Sequence, residues 1–95
     1  MEDLTRFDIA KYNGVSMVVV ESDLLPLDSS VVVIPLLPAI RQCGMNPELQ
    51  HNGRHLVLAT RMIAAVQWSS LRRTGSAADQ GDLVTWAVDI LIAGV

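Results

Sequence analysis

A single cysteine, Cys43, leaves no partner for an intrachain disulfide, so the chain reads as one made for a reducing compartment. Cys43 has little behind it as a nucleophile, because a lone cysteine is ordinarily a small buried or incidental residue. Aromatic residues are also scarce: two Trp, one Tyr and one Phe. The core must therefore be aliphatic, drawn from the Val, Leu, Ile and Ala of a 51% hydrophobic sequence. Excess positive charge is missing too. A net charge of −3 argues against generic binding to a phosphate backbone, which needs clustered Lys and Arg. No apolar run approaches the roughly 20 residues that span a bilayer. The acidic start MEDLTRFD lacks the basic-then-apolar layout of a signal peptide. Together these absences predict a soluble, cytoplasmic protein that meets other proteins and no membrane. Ninety-five residues suffice for one domain, 1–95, with a single modest core.

Signatures of chemistry are missing as well. There is no Ser/His/Asp set, no HExxH, no phosphate-cradling glycine loop and no nucleotide fingerprint. Asp and Glu are scattered, with no pair to place face to face for acid–base work. His51 and His55 flank an Asn52-Gly53 turn and could face each other across a hairpin. Two imidazoles are only half of a zinc site, and no neighbouring ligand completes it in the sequence, so they read as surface histidines. Arg72-Arg73-Thr74 is the one tight basic cluster. It could contact phosphate, RNA or a partner's carboxylate, although a solvated loop is the plainer reading. The expectation is a protein that is not an enzyme: no catalytic residues, no metal and no cofactor.

What is present is β-patterning followed by one terminal helix. Arg6–Tyr12 alternates, with Phe7, Ile9 and Lys11 on one side. Asn13-Gly14 then accepts the two positive φ angles of a tight hairpin, and Val15–Glu21 follows as a second strand that turns continuously apolar. Val31–Leu37 (VVVIPLL) is the most β-branched stretch and predicts the central buried strand. Pro35 and Pro38 cannot donate to a ladder, which predicts an edge or a bulge near that strand's end. Pro26–Ser30 reads as turn and Ala39–Glu48 as an irregular connection. Leu49–Asn52 and Arg54–Thr60 predict a second hairpin about Asn52-Gly53. Met62–Leu71 fits either a strand or a short helix, and Arg72–Gly81 reads as a loop. Trp68 and Trp86 are core fillers by default.

Asp82–Val95 (DLVTWAVDILIAGV) stands apart. Between Leu83 and Ile92 only Thr85 and Asp89 are polar, four apart, one thin wet stripe on an otherwise apolar helix. Asp79 or Asp82 can cap its start, and Gly94 suits the residue past its end. Such a helix must bury one face at home and offer another to a partner, with Ala93, Gly94 and Val95 as a tail. Trp86 lies seven residues before Ala93, on nearly the same face. The pattern as a whole predicts a mainly β fold with a C-terminal α-helix, a small, strongly bent sheet or barrel with the helix packed against it.

Three segments in order carry a resemblance: VVVESDLLPLDSSVVVIPLLP (Val18–Pro38), ATRM (Ala59–Met62) and AVDILIAGV (Ala87–Val95). They are similar to the CcdB toxins, the small toxins of bacterial CcdA/CcdB toxin–antitoxin modules, from about Phe7 to the last residue. The resemblance implies an SH3-like bent sheet or barrel of the CcdB/MazF type. It implies a homodimer that poisons DNA gyrase through the A subunit, and an antitoxin like CcdA whose disordered tail folds onto the toxin. DNA is then met only indirectly, through gyrase or through the toxin–antitoxin repressor complex. The family's gyrase contact corresponds here to Ala93, Gly94 and Val95, with Trp86 on its approach. Two departures follow. The family has a gyrase-stacking Trp where this chain has Ala93, and loss of such an anchor typically costs about 2 kcal/mol, roughly thirtyfold in affinity. The loop between the first two strands, which contributes to antitoxin binding in the family, is shortened to Asn13-Gly14, so those contacts do not carry over. Three readings of Ala93 stay open: a weakened toxin, a matching change in gyrase with Trp86 as a displaced anchor, or another target. Rival functions are a MazF-like endoribonuclease on the same fold and a detoxified homologue that only binds antitoxin.

Overall fold

The computed structural model describes residues 4–24, 29–38 and 45–94. Its strands are β1 (Asp8–Tyr12), β2 (Val15–Val19), β3 (Ser30–Leu37), β4 (Glu48–His51), β5 (Arg54–Leu58), β6 (Ala64–Gln67) and β7 (Arg72–Ser76). Single 3-10 turns cover Thr60–Met62, Trp68–Ser70 and Ala78–Gln80, and one helix, α1, covers Gly81–Ala93. All pairings are antiparallel, in the order β4-β5-β3-β2-β1-β7, with β6 also on β3. This is the mainly β, bent half-barrel with a C-terminal helix that the patterning predicts. Both Asn-Gly turns are tight: Tyr12 pairs with Val15 and His51 with Arg54, and all four turn residues have positive φ.

The sheet is covered on both faces, and for that reason its strands read as unbroken apolar runs. Along β1, β2 and β3 the neighbours Ile9/Ala10, Val18/Val19 and Ile34/Val33 send alternate side chains to two clusters. One holds Ile9, Val18 and Ile34 with Leu58, Val84 and Ala87, the last two from α1. The other gathers Ala10, Val19, Val31 and Val33 around Leu4 and Trp68. Trp68 is core, as expected, at 8% exposure, but its indole Nε1 is buried without a hydrogen-bond partner among the described residues.

β3 is central, as predicted, and so Pro35 needs a different explanation from an edge or a bulge. On one side β3 pairs with β2 as far as Pro35. On the other it pairs with β6 up to Val33 and with β5 only from Leu36. The Pro35 carbonyl accepts from the Ala59 N–H at 2.9 Å. Nitrogen and carbonyl of one extended residue point the same way, so the missing donor falls in the gap between the two ladders, where none is needed.

Four expectations are corrected. Arg72–Ser76 is a strand, β7, paired with β1, rather than loop; the register slips between Ile9 and Ala10, leaving Thr74 as the extra residue. Polar side chains suit an edge strand and hide it from a hydrophobic pattern. Met62–Leu71 is neither one strand nor a helix but a short strand between two 3-10 turns. β1 begins at Asp8 because Phe7 takes a left-handed φ of 73°. No carboxylate caps α1; the residue before it is Gln80, with no side-chain cap bond. Pro26–Asp28, Cys43 and most of the Ala39–Glu48 connection lie outside the described residues.

The two ends of the bent sheet approach each other through side chains. The Gln50 N–H donates to Gln80 Oε1 at 2.9 Å, and Gln80 Nε2 donates to the Gln50 carbonyl at 3.0 Å. A Cβ on Gly75 of β7 would stand 3.3 Å from His51 Cε1. The helix start is fixed separately: a Cβ on Gly81 would stand 2.9 Å from Phe7 Cε2 and 3.1 Å from Cζ. Phe7 itself is held from both sides, its N–H donating to Val19 and its carbonyl accepting from Ala77, both at 2.7 Å.

Gly81→Val should therefore destabilise the fold by about 1–3 kcal/mol through overpacking, lowering Tm by roughly 4–8 °C for each kcal/mol in a domain of this size. A thermal melt followed by circular dichroism reads this directly. Trp68→Phe is expected to fall within about 1 kcal/mol of wild type, since lost apolar area is offset by removing an orphaned donor that costs about 1–3 kcal/mol. Trp68→Ala, which opens a cavity, should lose about 3–5 kcal/mol. Urea titrations of the two variants make the comparison, and a Trp68→Phe loss as large as that of Trp68→Ala would contradict the orphaned-donor account.

Candidate functional site: the exposed face and end of the helix

The local sequence decides which way α1 faces. Gly81, Val84 and Ala87 recur at helical spacing and are buried; two small residues and one branched one let the helix sit close to the sheet. Asp82, in the first turn, lies at the end of the helix where the dipole favours a carboxylate. Thr85, half of the predicted polar stripe, accepts a hydrogen bond from Arg6 Nη2 at 3.2 Å. The Arg6 guanidinium also lies 4.7 Å from the centre of the Phe7 ring, and the Arg6 N–H donates to Asp23 Oδ1 at 2.8 Å. The segment before β1 thus clamps the helix, a role the sequence did not signal because phenylalanine has no preference for positive φ.

The outer side is open and carries an apolar stripe edged by the exposed Asp82 and Asp89. Leu83 is 39% exposed, Trp86 56% and Ile92 77%. Leu83, Trp86, Ile90 and Ala93 follow one another at spacings of three and four, so they form one stripe along the outer side. Ala93 and Gly94 are both exposed. Gly94 ends the helix in the left-handed region, at φ 74°, with its N–H on the Ile90 carbonyl at 2.9 Å. A Cβ there would meet nothing within 4 Å. The structure therefore brings Trp86, Ala93 and Gly94 to one accessible face and end; Val95 lies outside the described residues.

The other candidates are dispersed. Arg73 is drawn into the fold, its Nε 3.2 Å from Oδ2 of the buried Asp8, which also accepts from the Thr5 N–H and hydroxyl at 2.9 and 3.2 Å. Thr74 donates to the Ile9 carbonyl at 3.3 Å. His51 and His55 do not face each other, because the register sets Gln50 against His55 and His51 against Arg54. His55 Nδ1 instead lies 2.8 Å from Glu48 Oε1. Among the described residues no three His, Cys, Asp or Glu side chains come together to hold a metal ion. A cleft of about 480 Å³ opens between the β4–β5 turn and the last 3-10 turn, lined by Gln50, His51, Asn52, Gly53, Asp79 and Gln80. Among the described residues no helix is long and apolar enough to cross a membrane.

Comparison with known proteins bears on this geometry in three ways. No curated protein sequence matches the chain. Among solved structures it is similar to an endoribonuclease in complex with its cognate antitoxin from Mycobacterial species, with a TM-score of 0.80 over 96% of each chain. At 10% identity that likeness speaks for the fold alone. The family model described as CcdB protein matches residues 6–94, which takes in the strands, the clamp and the helix end together, and the chain therefore belongs to the CcdB family, the toxin family its sequence resembles.

Proposed function

We propose that this chain is the toxin of a type II toxin–antitoxin module, a non-catalytic homodimer that binds the A subunit of DNA gyrase through the end of α1. The observation that carries the reading is the helix end itself. Ala93 and Gly94 project into open space at the tip of an apolar stripe containing Trp86, in a chain of the CcdB family. The rest of α1 supplies a rigid mount, clamped at its start by Phe7 and Arg6. Gly94 leaves no bulk at the tip, which suits insertion between two surfaces, and Val95 completes it. Trp86 offers the large amphipathic contact that is typical of interface anchors, in place of the aromatic residue absent at Ala93. An antitoxin covers part of this protein in the resting state, and DNA is reached only through gyrase or through the repressor that toxin and antitoxin form together.

One observation favours a second reading. The fold is shared with a protein named as an endoribonuclease, so RNA scission on the same scaffold is the rival, and a homologue that retains only antitoxin binding is the third.

Gyrase from the source organism, incubated with ATP, supercoiled plasmid and this protein, should accumulate linear DNA after denaturation. Gly94→Glu should abolish that product while the protein stays folded and dimeric by circular dichroism and light scattering. Ala93→Trp should lower the effective concentration by roughly thirtyfold, the worth of about 2 kcal/mol of anchor. Cleavage of RNA without gyrase would favour the second reading, and linear DNA from Gly94→Glu at wild-type levels would remove the helix end from the mechanism.

A further inference from the structure

We propose that the free edge of β7 is a docking site for an extended acidic peptide segment of a partner protein, whose carboxylates are received by Lys11 and Arg72. Lys11 on β1 stands directly opposite Arg72 on β7. Its cross-strand neighbour on the other side is the uncharged Ser16. Both side chains are exposed, and among the described residues neither has an ion-pair partner. Like charges directly opposite in a sheet repel. The contrast with Arg73, one residue on and neutralised by Asp8, marks Arg72 and Lys11 as cations with no counter-ion among the described residues.

Among the described residues three strands, β4, β6 and β7, pair on one side only, and β6 (AAVQ) carries no charge. On β4 the backbone of Gln50 is sealed by both ends of the Gln80 amide. β7 ends the strand order at the other side, and no described strand pairs beyond it. His51 lies against Gly75, which limits the open part of the edge to the Arg72–Thr74 half. An unpaired edge offers backbone donors and acceptors to an incoming strand. A cationic one repels basic strands and accepts an acidic one.

The charge balance argues for peptide over nucleic acid. Two cations a single strand-width apart match one or two carboxylates on an extended peptide. A phosphate backbone needs a longer basic track, and the net charge of −3 opposes it. The edge shares no residue with the helix end, so either proposal can fail without the other.

The test uses the full chain and a short fluorescein-labelled peptide of alternating Glu and Thr, followed by anisotropy at low salt. Saturable binding is expected, with slowed amide exchange at Arg72–Thr74. The Lys11→Gln/Arg72→Gln double variant should weaken it by about tenfold or more. Its melting temperature should stay level or rise, because the substitutions relieve repulsion. Arg54→Gln, on β5 and outside the Arg72–Thr74 edge, should bind as wild type. Equal binding of the Gln-for-Glu peptide would overturn the proposal. So would no binding at millimolar peptide, an equal loss in Arg54→Gln, or tighter binding of a thymidine oligonucleotide through the same two cations.

Discussion

The contact between Phe7 and Gly81 sets the position of everything that the helix presents. A ring at van der Waals distance from a backbone without a Cβ brings α1 down onto the sheet at one point, and the pitch of the helix determines the rest. Val84 and Ala87 turn inward and Trp86 and Ala93 outward because Gly81 faces the ring. Phe7 occupies a left-handed conformation that costs about 1–3 kcal/mol for a residue with a side chain. Two short backbone hydrogen bonds and the partial burial of the ring against the core offset it. The Arg6 guanidinium, over the ring and on Thr85, closes the same contact from outside.

The sheet supplies what this arrangement presses against. A half-barrel of seven short strands covered on both faces has little room for polar side chains, and the few that are buried are satisfied. Asp8 is bound by Thr5 and Arg73. Thr60, fully buried, binds the Met45 carbonyl through its hydroxyl and Asn46 Oδ1 through its N–H. Among the described residues Trp68 Nε1 is the exception, and it lies on the face away from the helix.

How much of this was legible in the sequence depended on whether one residue type forces one geometry. Asn13-Gly14 and Asn52-Gly53 admit few alternatives to a tight turn, and both hairpins are where they mark them. The β-branched run of β3 named the central strand, and Gly94 named the helix end. β7 was hidden because Arg72, Arg73 and Thr74 carry no hydrophobic alternation, and its pairing is decided by Asp8, more than sixty residues earlier. The helix start carries no carboxylate cap, against the sequence expectation, because its anchoring is tertiary: Gly81 against Phe7 is invisible to any local rule. Ala93, Gly94 and Trp86 were legible as a face from their spacing, whereas the clamp that orients that face was not.

Pro35 has a consequence for the shape of the whole molecule. Without an N–H on that side, β3 cannot hold a single uninterrupted neighbour, and the sheet forks there into two branches. One branch carries β6; the other carries the β4–β5 hairpin, joined to β3 through Leu36↔Leu58, Leu37↔Val57 and the Ala59 N–H on the Pro35 carbonyl. The hairpin thus hangs from a short root, held along its length by Leu49 and Leu56 in the core cluster and at its far end by the amide of Gln80. The place where the sheet divides coincides with the absence of one hydrogen atom in the middle of the chain's most β-branched strand.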